Sequence, residues 1–184
     1  MDAVKLESHW LAHVRRVPSS NVNERPGDKA INLLVIHNIS LPPGEYGGGF
    51  VEQFFTNSLD HNAHPYFKTI KDLQVSSHLF IRRNGEVIQF APFDQRAWHA
   101  GASCFEGEEN CNDFSIGIEL EGVDDKPYEN IQYDVLARIS RALMKKYPGI
   151  TPERICGHCD IAKGRKTDPG PAFDWLRFRN KLKK

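Results

Sequence analysis

Apolar positions along the chain follow two spacings, short runs with alternation and a helical repeat, and together they predict a mixed sheet flanked by helices. Ile31-Asn32-Leu33-Leu34-Val35-Ile36-His37-Asn38 is a brief apolar run of the kind that makes a buried strand, and His37 stands at its end. Val75 to Arg83 and Glu86 to Phe90 flank Asn84-Gly85, a pair suited to a tight hairpin turn, so two antiparallel strands are expected. Phe114 to Glu121 alternates, placing Ile116, Ile118 and Leu120 on one face and Ser115, Gly117, Glu119 and Glu121 on the other. Arg154 to Gly157 fits a last short strand.

The helical repeat is clearest from Tyr128 to Tyr147, where Ile131, Val135, Ile139, Ala142 and Leu143 recur before Pro148-Gly149 stops the helix. Helices are also predicted over Val4 to Val14, Phe50 to Asn57 and Asp174 to Leu182, the last with an acid in its first turn. Pro18 to Lys29, Pro42 to Gly49, Asp60 to Pro65 and Gly157 to Pro171 read as loops. With no repeat and no linker, the order α-β-α-β-β-β-α-β-α predicts one α/β domain over 1–184, a mixed sheet of about five strands flanked by helices.

Composition narrows the partners. A chain of 184 residues is large enough to fold without a staple. Its 24 basic and 24 acidic residues balance, with no basic run to neutralise a phosphate backbone, so no nucleic-acid partner is expected. Lys181, Lys183 and Lys184 read as a solvated helix end. No stretch of about 18 apolar residues occurs and the first residues lack a basic start with an apolar core, so a soluble, cytoplasmic, non-membrane protein is expected. Four cysteines, at 104, 111, 156 and 159, do not make a disulfide framework.

The densest chemistry lies in Gly157 to Pro171, where His158, Lys166 and Asp168 share a segment too rich in Gly and Pro to continue as helix. An imidazole, an amine and a carboxylate near one point suit a metal-assisted hydrolase. His37 and His158 both follow apolar strands, and catalytic zinc commonly takes ligands from strand ends, with one carboxylate completing the set. Asp168 is the nearest such carboxylate, although an Asp before Pro169 can simply start a turn. Alone, a histidine at a strand end is more often a satisfied core residue.

Glu119 on a strand face calls for a partner or a task, and a carboxylate beside an activated water can take its proton. Glu121 lies roughly 6.5 to 7 Å further along that face, where surface exposure is expected. Trp98 and Tyr66, in loop-like contexts, could floor a sugar or peptide site, with core anchoring the alternative for Trp98. Cys156-Gly157-His158-Cys159 raises a different function, thiol redox work, but that motif needs to open a helix that lowers the thiol pKa, and here Gly164, Pro169, Gly170 and Pro171 follow closely. Cys104 and Cys111 are too widely spaced for a structural zinc pair.

Five segments carry a resemblance: Val35 to Ser40, Asn62-Ala63-His64-Pro65-Tyr66-Phe67, Ala97-Trp98-His99-Ala100-Gly101, Asn112 to Gly122, and Gly157 to Pro171. In these, and from about Trp10 onward, the chain resembles the zinc N-acetylmuramoyl-L-alanine amidases, relatives of the peptidoglycan recognition proteins. The resemblance implies their fold and one Zn²⁺ per chain held by His37, His158 and Asp168. It implies Glu119 as proton acceptor, Lys166 as transition-state stabiliser, and Asn38, Tyr66, Trp98 and Arg165 on the substrate side. The implied reaction is hydrolysis of the amide between (1,6-anhydro-)N-acetylmuramic acid and L-alanine of muropeptides, in a monomer serving cytoplasmic cell-wall recycling and limiting β-lactamase induction. A muropeptide-binding module without catalysis and a CxxC redox protein remain the alternatives.

Overall fold

The computed structural model describes residues 4–27 and 29–183. Six strands, β1 (Arg15–Arg16), β2 (Leu33–Ile39), β3 (Leu79–Ile81), β4 (Val87–Gln89), β5 (Ser115–Glu121) and β6 (Ile155–Gly157), form one sheet in the order β6-β2-β5-β3-β4-β1. Only the β3–β4 hairpin is antiparallel; β6–β2, β2–β5, β5–β3 and β4–β1 run parallel. The mixed α/β class expected from the pattern therefore holds, with one strand more than the pattern disclosed.

The helices are α1 (Phe50–Phe55), α2 (Asn130–Lys146), α3 (His158–Ile161) and α4 (Trp175–Leu182). Helix α2 opens where Glu129 N–H donates to Gln132 Oε1 at 3.0 Å, and closes with Lys145 and Lys146 against its negative end. Its face of Val135, Leu136, Ile139 and Leu143 joins Ile116, Ile118 and Leu120 of β5 in the largest apolar cluster, the face that alternation assigns to the core. Leu136 is fully buried there, so Leu136→Ala is expected to cost about 2–5 kcal/mol. A urea midpoint that does not move would contradict that packing.

The opposite face is closed as well. Phe54, Phe55, Phe67 and Ile70 pack with Phe80, Ile88 and Phe90, while Leu33, Val35 and Cys156 pack with Cys111, Phe114 and Ile161. Burial on both faces corrects the expectation for Glu121, which is covered rather than exposed. Its Oε1 accepts from Gly47 N–H at 2.6 Å and its Oε2 from Arg83 N–H at 2.9 Å, so it ties two loops down.

Two local expectations give way to tertiary packing, and one short strand forms where the pattern assigned no element. No helix forms over Val4 to Val14; Leu6–Glu7 and Trp10–Leu11 pair antiparallel, with Ser8 and His13 at φ of 57° and 61°. Val4, Leu6, Leu11 and Val14 still reach the main cluster, and the Leu11 N–H donates to Gln89 Oε1 at 2.7 Å. A helix this short has little stability of its own to oppose those contacts. Strand β1 consists of two exposed arginines, which carry no apolar signal. Within the segment expected as loop, α3 forms one turn, with Asp160 Oδ2 accepting from the N–H of the preceding Gly157 at 2.7 Å.

Candidate active site

Parallel register sets His37 of β2 beside Glu119 of β5, so both side chains leave the same sheet face about 4.8 Å apart. On the other side of β2, strand β6 ends at Gly157 and delivers His158 as the first residue of α3. The site therefore lies at the carboxyl ends of parallel strands, where open α/β sheets place ligands. Asp168 arrives from the following loop, whose position is fixed by Cys159 N–H donating to Asp168 O at 2.9 Å. Tyr128 OH and Asn38 Nδ2 both donate to Pro169 O, at 2.7 and 3.1 Å.

His37 Nδ1 and His158 Nδ1 lie 3.0 and 3.1 Å from one oxygen, Asp168 Oδ2. His158 Nε2 is 3.0 Å from the Ala100 carbonyl, which only accepts. In the neutral imidazole the proton is then on Nε2, and Nδ1 turns a lone pair toward the carboxylate. A lone pair facing an anionic oxygen at that distance is repulsive unless a cation lies among them. The three donor atoms fall within 4.8 Å of one another, and two imidazoles with one carboxylate match the three-ligand set of catalytic zinc, which keeps a further position open. These residues fit a zinc ion.

The electrostatics separate the carboxylates. Burial raises Asp168, but protons on the facing nitrogens of His158 and His37, the places a cation takes when both imidazoles are neutral, outweigh it and hold its carboxyl below the usual range. Glu119 goes the other way: burial pushes it well above the usual carboxylate range, the Asp168 charge adds to this, and Lys166 opposes it. Its Oε2 is buried and has no hydrogen-bond partner among the described residues. A carboxylate kept dry and unpaired beside a cation site is prepared to accept a proton.

Three buried histidines give the metal-free fold a pH signature. Burial pushes His37 down to about 4 and His78 down to about 3, from 6.5, and holds His99 well below its ordinary value. The unfolded chain consequently binds more protons below about pH 6.5, so stability declines from there toward pH 4; Glu119, with a raised pKa, loses its contribution as pH rises and opposes only part of this. The Tm of chelator-treated protein is expected to fall steadily over that window. A flat profile would contradict the burial of neutral imidazoles.

A cleft of about 300 Å³ contains His37, Asn38, Tyr66, Glu119, His158, Lys166 and Asp168. Its other wall is apolar, with Leu41, Phe54, Ile70, Leu73 and Val75. Asn38 is also a structural tie, since its Nδ2 donates to Asp124 Oδ1 at 2.8 Å as well as to Pro169 O. Trp98 and Arg165 are not brought into this cleft. Trp98 donates its indole N–H to Asn23 Oδ1 at 2.6 Å. Arg165 Nη2 donates to the Ala100 and Ala102 carbonyls at 2.7 and 2.6 Å, and its side chain borders a shallower depression of about 890 Å³. The structure thus holds both side chains outside this cleft, each polar head bound by a neighbouring loop.

Cys156 and Cys159 lack the conditions for redox chemistry. All four cysteines are free, and burial pushes the thiols of both Cys156 and Cys159 upward, opposite to what a reactive thiolate needs. A single turn at α3 does not offset that burial. The Cys156→Ser, Cys159→Ser double variant is expected to retain catalysis within a few-fold, measured as kcat/KM on the folded protein; abolition would reinstate the thiol reading.

Two residues that bear on the site carried no assigned role in the sequence, His99 and Ser115. Their signal is faint: an imidazole beside Trp98, and a hydroxyl on the strand face of Glu119.

A mixed α/β sheet whose strand ends bring two buried histidines and a half-buried aspartate together beside an unpaired carboxylate has the make-up of a metal-assisted hydrolase. The chain belongs to the N-acetylmuramoyl-L-alanine amidase family, whose model matches residues 27–171. It is 58% identical over 174 residues to the 1,6-anhydro-N-acetylmuramyl-L-alanine amidase AmpD of Escherichia coli K12, covering 95% of this chain and 94% of that one. The AmpD of Haemophilus influenzae is 49% identical, with 97% of each chain covered. A crystal structure of an AmpD derivative superposes with a TM-score of 0.94 at 56% identity, covering 97% of this chain and 99% of that one. The E. coli amidase AmiD, in complex with the substrate anhydro-N-acetylmuramic acid-L-Ala-D-gamma-Glu-L-Lys, superposes with a TM-score of 0.59 at 30% identity over 89% of this chain and 66% of that one.

Proposed function

We propose that this protein hydrolyses the amide between the lactyl carbonyl of (1,6-anhydro-)N-acetylmuramic acid and L-alanine of muropeptides, using one zinc ion. The observation that carries the reading is the convergence of His37, His158 and Asp168 with an unpaired, buried Glu119 in one cleft. Similarity to AmpD chains over nearly the full length supports the substrate class.

His37, His158 and Asp168 hold the ion, which when bound supplies Lewis-acid polarisation of a carbonyl and lowers the pKa of water toward about 7. Glu119 takes the proton of the attacking water and returns it to the departing L-alanine nitrogen, so one carboxylate serves both half-steps. Its burial strengthens both transfers by keeping the carboxylate from competing water. Lys166, on the rim of the same cleft, faces the oxyanion of the tetrahedral intermediate with a fixed positive charge. Tyr66, partly exposed at the mouth beside Leu73, offers a ring face for the sugar, and Asn38 holds the Asp168 loop against β2.

In the cell such an enzyme serves recycling of cell-wall fragments in the cytoplasm, and removal of anhydromuropeptides limits any β-lactamase induction that responds to them. The fold works as a monomeric single domain over 1–184. Incubation with anhydro-N-acetylmuramic acid-L-Ala-D-γ-Glu-L-Lys, followed by mass spectrometry, is expected to give free anhydro-N-acetylmuramic acid and a peptide with a new L-alanine amino terminus. Zinc-loaded protein that binds the muropeptide and returns it intact would instead mark a binding module.

A further inference from the structure

We propose that Ser115 and His99 are positioning residues: together they form a directed hydrogen-bond chain that dictates which nitrogen of His37 is free for a metal ion. The proposal rests on the reading of His37 as a ligand. It begins at a carbonyl. Ser115 Oγ lies 2.5 Å from the Cys111 carbonyl oxygen, which only accepts, so the hydroxyl proton points there. The same oxygen lies 3.1 Å from His99 Nε2, and with its proton already committed it must accept. His99 therefore carries its proton on Nε2. Its ring is buried between the Ser115 hydroxyl and the His37 imidazole with no carboxylate bonded to it among the described residues, so it carries one proton and Nδ1 is a lone pair.

That lone pair sits 3.0 Å from His37 Nε2, which must then be the donor. The remaining nitrogen of His37, Nδ1, is left unprotonated and turned to Asp168 Oδ2. A single hydroxyl on β5 thus propagates a choice of tautomer through two imidazoles to the cation site. His158 reaches the same state by a shorter route, donating from Nε2 to the Ala100 carbonyl. The two routes share one anchor. Asn112 Oδ1 accepts from His99 N–H at 3.1 Å and from Ala100 N–H at 2.8 Å, so one buried amide sets both the ring and the carbonyl that orient the ligands.

Strand β5 is shaped for this chain. A Cβ at Gly117 would lie 2.5 to 2.8 Å from three atoms of the His99 ring, so only glycine leaves the imidazole room to lie on the strand between Ser115 and His37. The glycine in an otherwise alternating strand and the buried serine two residues earlier are then two parts of one device.

The test reads tautomers directly. Long-range ¹H–¹⁵N correlation spectra of the metal-free, ¹⁵N-labelled protein at neutral pH are expected to show His37, His99 and His158 as Nε2–H tautomers. His37 found as the Nδ1–H tautomer overturns the proposal without any variant. Ser115→Ala, which removes the fixed acceptor, is expected to mix the His37 tautomers and weaken zinc binding about 10–100-fold in chelator competition. Ser115→Thr, which keeps the hydroxyl, is expected to restore both. A purely structural role predicts a lower Tm for the variants with wild-type tautomers and wild-type zinc affinity in the folded fraction, and that result also overturns it. Because the tautomer readout needs neither zinc nor substrate, a wild-type protein that failed to hydrolyse muropeptides would refute the proposed function and leave this assignment standing or falling on its own spectra.

Discussion

Glu119→Gln is expected to lower kcat roughly 10²- to 10⁴-fold while leaving zinc content at one per chain. The amide reproduces the size and burial of the carboxylate but has no site that takes a proton at neutral pH. Glu119 stands next to His37 across the β2–β5 pair, yet its unpartnered Oε2 shows that the fold does not use it to hold the strands together. The structural consequence of the change is therefore opposite in sign to the catalytic one. Burial that raises the Glu119 pKa is a cost of keeping the carboxylate charged at neutral pH, and a neutral amide avoids it, so Tm is expected to stay level or rise. A variant with near wild-type kcat, or one that loses zinc as well as activity, would remove Glu119 from the role of base.

Asp168→Asn carries the second large effect, on metal rather than proton chemistry. Asp168 Oδ2 is the one anionic donor between two neutral imidazoles, and an amide replaces that charge with a weaker oxygen or with N–H groups turned toward lone pairs. Zinc affinity is expected to fall by more than the roughly 10–100-fold typical of losing an outer-sphere partner, and kcat/KM at limiting zinc should fall with it. Linkage gives an independent reading. Zinc at about 100 times its Kd stabilises the wild type by about 2.7 kcal/mol, and that gain in Tm should vanish in Asp168→Asn at the same zinc concentration. An equal zinc-induced shift in both proteins would mean that the ion binds elsewhere.

Much of this site is legible in the sequence because strand ends and glycine-rich loops leave a pattern. The apolar run before His37, the alternation through Glu119 and the helical repeat of α2 each reflect a single dominant force, burial against one neighbour, and each element appears within a few residues of its expected bounds. The segments that depart are governed by contacts remote in the chain. Residues 4–14 pack as a hairpin because Gln89 takes the Leu11 N–H, and β1 exists because β4 offers a parallel edge to two arginines.

Polar roles are harder to read than apolar ones. Glu121 has the same alternation as Glu119, and only the loop N–H groups of Gly47 and Arg83 make it a buried tie rather than a surface acid. Trp98 and Arg165 occupy motif positions, but Asn23 and the carbonyls at 100 and 102 hold their polar heads outside the cleft. His99 and Ser115 are invisible to spacing because their function lies in the direction of a proton, a property of three-dimensional neighbours.

The central claim, that one metal ion in the His37, His158 and Asp168 set enables cleavage at the lactyl–L-alanine amide, is tested most directly by titrating zinc into chelator-treated protein while counting bound metal and following products on an anhydromuropeptide. Activity is predicted to rise from the chelated baseline in proportion to occupancy and to level off at one zinc per chain, with cleavage at that single bond. Full activity without bound zinc, or cleavage at another bond of the stem peptide, would contradict it.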